Sequence, residues 1–463
     1  MYLNCHSYYS LRYGTMSVEQ LVQKALAAEA DTIVLSDINN STGIPEFAGE
    51  CSKNNLRPVA GIEFRTDNEL QYIGIARNNN GLRELNEFLS DLNINKTAIP
   101  FPAPQFSESY IIYLLKKIPG RKLFENERIG IRPQELNSLL TLNSSLNRNL
   151  MVLIQSVTFA ETDDIFIHKS LRAVDNNILL SHLQPWQCAA EDEFFKTPAN
   201  NEKIISEFPW LIKNTKKLLD DCNLQFDRNS LKNKKIYSAS RYDDKLLLEK
   251  LAWDGMKYRY GMQNNEAKKR IKHELEIIDR LGFSAYFLIT WDIVSYSMAR
   301  GFYHVGRGSG ANSVVAYCLK ITNVDPIDLN LYFERFINPK RSTPPDFDID
   351  YSWKERDEVI DYIFKRYGYK HTALLGTMST FRGKSIVREL GKIHGLPKEE
   401  IDSLIDNPSS ETNRNEISNV IFSTARYALS IVPSKLFFSP KLVTPTTRPP
   451  EVTYVSFSNF VPE

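Results

Sequence analysis

The chain has 463 residues, enough for two or three cores, and its 42% hydrophobic and 24% charged content excludes a disordered or fibrous protein. A net charge of +1 excludes a polycationic nucleic-acid binder, so such affinity must come from local basic clusters. Five cysteines (Cys5, Cys51, Cys188, Cys222 and Cys318), odd in number and without CxxC spacing, exclude a disulfide framework and a thiolate zinc site.

The opening Met1-Tyr2-Leu3-Asn4-Cys5-His6 has no cationic start and no apolar core. No apolar run is long enough to span a bilayer, so a soluble cytoplasmic protein is expected. Ser17, with Gln20 in capping-box position, opens a helix carrying Leu21, Val22, Ala25 and Leu26 on one face. Thr32-Ile33-Val34-Leu35 reads as a short strand running toward Asp37. Further strand-like runs cover Pro58 to Phe64, Gln71 to Ala76 and Leu150 to Gln155, with a helical pattern from Leu82 to Leu92. This βα alternation favours a parallel sheet or barrel, with chemistry at the strand C-terminal ends where Asp37 and Glu63 fall.

Between Pro209 and Tyr260 the chain turns basic, with Lys213, Lys216, Lys217, Lys232, Lys234, Lys235 and Arg241 close together. This reads as a solvated linker and helix surface, with a nucleic-acid track as the alternative. Ala267, Ile271, Leu275, Ile278 and Leu281 then recur at helical spacing, and Gly282 supplies a stop. Tyr286-Phe287-Leu288-Ile289 begins another buried element.

Gly306-Arg307-Gly308-Ser309-Gly310-Ala311-Asn312-Ser313 leads into the apolar run Val314 to Leu319. A glycine-rich turn opening a helix offers free backbone N–H groups which, with the Ser309 and Ser313 hydroxyls, suit a phosphate; such a run is equally often a tight turn. Downstream, Pro345-Asp346-Phe347-Asp348-Ile349-Asp350 alternates acids with apolar residues. On a strand, Asp346, Asp348 and Asp350 share one face at roughly 6–7 Å spacing, with Phe347 and Ile349 on the buried side. Three carboxylates in a row repel unless a divalent cation joins them, and paired cations suit phosphoryl chemistry; the alternative is an exposed acidic strand edge. Arg335 and Arg341, in Phe333-Glu334-Arg335-Phe336 and Asn338-Pro339-Lys340-Arg341, present forks matched to phosphate, or to surface ion pairs.

Further on, Gly376 to Ser385 looks like a phosphate loop, but six residues separate its glycines where that loop has four. Ile386, Leu390 and Ile393 form a helical face that breaks at Gly395-Leu396-Pro397.

The run GRGSGANSVVAYCLKITNVDPIDLNLYFERFINPKRSTPPDFDID closely resembles the palm of the bacterial C-family DNA polymerases, the DNA polymerase III alpha subunits. The flanking LGFSAYFLITWDIV and VIDYIFKRYG fit the same family. The resemblance implies a nucleotidyltransferase palm of the polymerase beta type. In it, Gly308 and Ser309 handle the nucleotide phosphates, Asp346 and Asp348 bind two magnesium ions with Asp350 in the same motif, and Arg335 and Arg341 contact the triphosphate. The family has a longer glycine–proline turn before GRGS than His304-Val305-Gly306 provides. It also implies that Lys384 and Arg388 begin the thumb, near the DNA backbone.

The segments LNCHSYYSL, VLSDINNSTGIPEF and RPVAGIEF resemble the PHP domain that begins these polymerases. Of the metal ligands that this implies, His6, Asp37 and Glu63 remain. Asn4 and Ile38 stand where histidines belong, as do Gln71 and Thr158 further on. The first shell is incomplete, so a vestigial metal site in a scaffold domain is expected rather than a phosphoesterase centre.

The expected fold is α/β: a PHP-type (β/α) barrel at 1–210, a basic linker at 211–240, a partial α+β palm at 241–370, a helical partial thumb at 371–420 and an unlike tail at 421–463. That tail, rich in proline and threonine, reads as truncated or translated out of frame. The expected function is two-metal DNA synthesis by the catalytic subunit of a bacterial replicase, cut before the third carboxylate and with little activity alone. The resemblance implies primer–template DNA, deoxynucleoside triphosphates, a sliding clamp and a proofreading exonuclease as partners. The rival readings are a PHP-type phosphoesterase or exonuclease, and a non-catalytic DNA- or replisome-binding fragment.

Overall fold

The structure, a computed structural model, describes residues 1–141, 147–196, 206–226, 234–338, 340, 346–369, 371–374, 383–406, 420–421 and 424. They fall into two compact units, Met1–Asp227 with Thr380–Ser439, and Arg228–Ser379 with Pro440–Glu463. Arg341, Gly376 to Arg382 of the loop-like run, and all of the unlike tail except Ile421 and Thr424 lie outside the described residues.

In the first unit, the strands are β1 (Tyr2–Cys5), β2 (Thr32–Leu35), β3 (Arg57–Thr66), β4 (Glu69–Ala76), β5 (Ser109–Leu114), β6 (Glu127–Ile131), β7 (Met151–Leu153) and β8 (Ser156–Val157). The helices are α1 (Val18–Ala27), α2 (Ile44–Lys53), α3 (Asn79–Asn95), α4 (Leu136–Thr141), α5 (Asp164–Asn176) and α6 (Pro209–Asp220). Ser17 and Gln20 form the capping box at the start of α1, which buries Val18, Leu21, Val22 and Ala25. These pack with Cys5, Ile33 and Leu35 of the sheet, each large side chain contributing roughly 1.5–3 kcal/mol by leaving water.

The eight strands form one sheet in the order β7-β6-β5-β4-β3-β2-β1-β8. Its two outermost strands are joined by Ile154 and Gln155 alone, so the sheet curls back on itself. Leu3, Val34, Val59, Ile73, Ile112 and Val152, one from each of six strands, pack together with Leu218 and Leu219 of α6. The curl is consistent with the barrel of the expected parallel sheet or barrel, but the pairing is not parallel throughout, because β3–β4 and β4–β5 run antiparallel. Only Asp67 and Asn68 join β3 to β4, too few residues for the crossover that parallel pairing requires. The extended β3 also carries Glu63 within a strand, level with Ile38, rather than at a strand end.

The stretch read as a basic linker opens with α6, whose Leu211, Thr215, Leu218 and Leu219 are buried while Lys213, Lys216 and Lys217 are exposed.

The second unit contains α7 (Arg241–Tyr260), α8 (Asn265–Leu281), α9 (Ser284–Ala299), β9 (His304–Arg307), α10 (Val314–Cys318), β10 (Asp348–Tyr351) and α11 (Arg356–Tyr367). Helix α8 buries Ala267, Ile271, Leu275 and Ile278 and ends on Gly282 with φ +74°; that left-handed position is one glycine adopts without strain. Strands β9 and β10 pair antiparallel, Asp348 opposite Arg307 and Tyr351 opposite His304. Two later helices, α12 (Lys384–Ile393) and α13 (Lys398–Asp406), belong to the first unit. There Ile386, Val387, Leu390 and Ile393 pack with Ala173 of α5, and the helices part at Gly395, φ +78°.

Candidate functional site

Three sequence motifs far apart in the chain are drawn together by their aromatic residues. Phe347, between Asp346 and Asp348, is buried against Phe336 of the FERF run (ring centroids 4.9 Å) and Phe287 (5.1 Å). Tyr286 stacks on the same ring at 5.5 Å, and its hydroxyl accepts a bond from the Phe347 N–H at 3.2 Å. A Cβ placed on Gly310 would lie 2.9 Å from the Phe347 ring, so the glycine lets the GRGS turn close onto it.

With Phe347 turned inward, the acids turn outward, as strand alternation requires. Asp346 is exposed; Asp348 and Asp350 are half-buried. Pairing of β10 with β9 sets Asp348 against the glycine-rich turn. Gly308 has φ +73°, and a Cβ there would stand 2.6 Å from Asp348 Oδ2. Ser309 beside it is exposed. Asp350 pairs with Arg307, Nε to Oδ2 2.7 Å, so it already has a cation. Arg335 lies exposed on a short helical turn, Phe333–Arg335, that packs against the turn Gly308–Asn312.

The helix start itself needs correction as a phosphate site. Helix α10 has only five residues, and a carboxylate of the protein occupies its first amides. Glu274, fully buried on α8, accepts from Val314 N at 2.9 Å, Val315 N at 3.0 Å and the Ser313 hydroxyl at 2.8 Å. Burial pushes Glu274 up to about 7, against the opposing pull of those donors and of Arg270. Ser313 therefore faces inward, and Gly308 is the part of the motif that meets Asp348, with Ser309 exposed beside it.

In the first unit, His6 and Glu63 meet: His6 Nε2 lies 3.1 Å from Glu63 Oε2, and His6 Nδ1 lies 2.9 Å from Thr158 Oγ1. Asn4 donates to the same Glu63 oxygen at 2.6 Å and accepts from Ser36 at 2.7 Å. The other Glu63 oxygen pairs with Arg65, whose guanidinium lies 4.4 Å above the Tyr13 ring. Burial alone would raise the Glu63 carboxyl, but Arg65 and His6 hold it well below the carboxylate range. Asp37 is taken up elsewhere, by Ser7 N and Oγ at 2.7 and 2.8 Å and by Ser10 Oγ at 2.6 Å. Burial nonetheless pushes Asp37 up to about 6. Gln71 bonds Lys117 and the Glu69 carbonyl instead. Among the described residues no group of three or more His, Cys, Asp or Glu side chains is placed to hold a metal ion. Lys384 and Arg388 are largely exposed and approach Asp406 and Asp402 of α13 at 3.4 and 3.7 Å.

Comparison with known proteins accounts for both units. Residues 3–217 match the PHP domain, and residues 246–429 match the bacterial DNA polymerase III alpha NTPase domain, past Ile421 where likeness was expected to end. The chain belongs to the DNA polymerase III alpha subunit family. DNA polymerase III subunit alpha of Ureaplasma parvum is 29% identical over 449 residues, 95% of this chain and 44% of that protein. An error-prone DNA polymerase of Symbiobacterium thermophilum is 27% identical, covering 92% of this chain and 44% of its own length. The subunit from Halalkalibacterium halodurans is 29% identical, with 87% of this chain and 39% of that protein covered. The chain thus spans less than half the length of these curated relatives. No helix among the described residues is long and apolar enough to cross a membrane.

Within this polymerase family chain, two charged residues escaped the sequence reading. Glu274 sits three positions after Ile271, on the apolar stripe of α8, and a carboxylate there signals a buried partner. Arg65 shares a strand face with Glu63 two residues before it, which places a cation beside a buried acid.

Proposed function

We propose that the second unit is the nucleotide-handling part of a template-directed DNA polymerase. Asp346 and Asp348 are its metal-binding carboxylates, Gly308 and Ser309 the turn that meets the triphosphate, and Arg335 and Arg341 the cations around it. The observation that carries this reading is the apposition of Asp348 and Gly308, which sets a carboxylate and a glycine turn on one exposed rim.

The donor set fits magnesium. The ion takes oxygen ligands, keeps several waters and is commonly held by one or two carboxylates together with substrate phosphates. When bound, a pair of such ions supplies Lewis acidity for the attacking hydroxyl and the leaving phosphate oxygen. The residues themselves orient. Gly308 lets the turn close onto the Asp348 carboxylate, where any Cβ would collide, and so holds Ser309 beside that acid. Arg335 offers a planar fork to phosphate oxygens. Primer–template DNA, the clamp and the exonuclease belong to the proposal for the whole protein, as does a DNA-backbone role for Lys384 and Arg388.

The first unit is read as scaffold. Its buried Glu63 is neutralised by Arg65 rather than left open to an ion, and Asp37 is occupied by serine donors. This supports a structural role over phosphate-ester hydrolysis.

The test is magnesium-dependent binding of a deoxynucleoside triphosphate by the full chain. D348N and S309A should each weaken it by roughly tenfold or more, as expected for lost charge-assisted contacts. Binding that is indifferent to both substitutions and to magnesium would contradict the assignment.

A further inference from the structure

We infer that Glu274 is a positioning residue for the nucleotide turn: its buried carboxylate, clamped on Ser313, Val314 and Val315, sets where Gly308 and Ser309 stand relative to Asp348. This deepens the site reading above and rests on it for the nucleotide.

The turn Gly308–Asn312 is five residues long and is fixed at both ends. On one side Arg307 is locked into the β9–β10 ladder opposite Asp348. On the other side α8 grips residues 312 to 315. Glu274 takes the Ser313 hydroxyl and two amides, while Arg270, one turn earlier, approaches the Asn312 carbonyl at 3.5 Å. Ser313 Oγ in turn accepts from Ala316 N at 3.0 Å, so the hydroxyl couples the carboxylate to the helix cap. Ser309 is four residues from this clamp, and a short span between two anchors has little room to move independently of them.

Two features separate this from ordinary capping. The anion comes from another helix, so it fixes α10 against α8 rather than merely ending it. It is also fully buried, where each donor it holds is costly to leave unpaired. A glutamine at the same place keeps the shape but turns an N–H₂ toward an amide donor, removing one acceptor and adding a clash. An aspartate keeps the charge and withdraws it by about 1.5 Å, one carbon–carbon bond.

The experiment uses the full chain with ¹⁵N-labelled glycine, serine and valine. Amide shifts and exchange are recorded without nucleotide, and magnesium-dATP is then titrated. E274Q should shift the Val314 and Val315 amides, speed exchange at Gly308 and Ser309 by roughly tenfold, and weaken dATP by a similar factor, with E274D between. Should E274Q fail to fold, E274D carries both readouts. If Val314 and Val315 respond while Gly308 and Ser309 keep their shifts and exchange rates, Glu274 only caps α10 and the inference is overturned. Wild-type chain that binds no magnesium-dATP counts against the nucleotide assignment instead, and the amide arm then decides the positioning role by itself.

Discussion

Gly308 and Asp348 stand so close that no side chain fits between them: a Cβ on the glycine would lie 2.6 Å from the Asp348 carboxylate. The glycine also holds φ +73°, a conformation that costs other residues about 1–3 kcal/mol. G308A is therefore expected to destabilise the second unit by about 1–3 kcal/mol and to weaken dATP binding by pushing Asp348 aside. Denaturant unfolding followed by a nucleotide titration checks both.

Phe347 anchors the rim from beneath, packed on Phe287, Phe336 and Tyr286. F347A removes a buried ring and is expected to cost about 3–5 kcal/mol. F347L keeps most of the volume, so its loss of stability should be smaller. Calorimetry on the two variants separates the outcomes, and equal losses would show that the ring's shape is what the motif requires.

How far these contacts were legible in the sequence depends on their range. Periodicity placed α1, α8 and the alternation of β10, because each rests on neighbours within a few residues: Ser17 with Gln20, Ile271 with Leu275, Phe347 between two acids. The family motifs marked Gly308 and Asp348. Two physical facts were beyond local pattern. The antiparallel turn from β3 into β4 depends on a two-residue connection between strands that each look like half of a βα unit. The clamp of Glu274 on residues 313 to 315 joins positions about forty apart, so the free amides implied by the glycine run were in fact taken.

Arg65 and Glu63 form a buried pair in the curled sheet, with the Glu63 side chain fully enclosed. Removing only the cation leaves a buried charge, so R65M should cost about 3–5 kcal/mol. The double variant R65M/E63Q removes the stranded charge as well and should recover part of that loss. A double-mutant cycle by thermal unfolding measures the coupling; additive losses would argue against the pair.

His168 is buried with Nδ1 donating to the Tyr13 carbonyl and Nε2 accepting from Ala189 N, each at 2.8 Å. Burial pushes it down to about 4 from an ordinary value near 6.5. Its folded value is depressed, so the stability tied to neutral His168 is complete above about 6.5 and is lost as pH falls toward about 4. H168Q, which takes up no proton, should show a shallower decline across that window than wild type in denaturant titrations at stepped pH. Parallel slopes would remove His168 from the acid response.

A divalent cation bound by Asp348 should sit beside the Gly308–Ser309 turn. Manganese, a paramagnetic stand-in for magnesium, tests it directly through relaxation of backbone amides in the full chain. Substoichiometric manganese is expected to broaden Gly308 and Ser309 first, and D348N to abolish that broadening. Broadening centred elsewhere, or unchanged in D348N, would contradict the account.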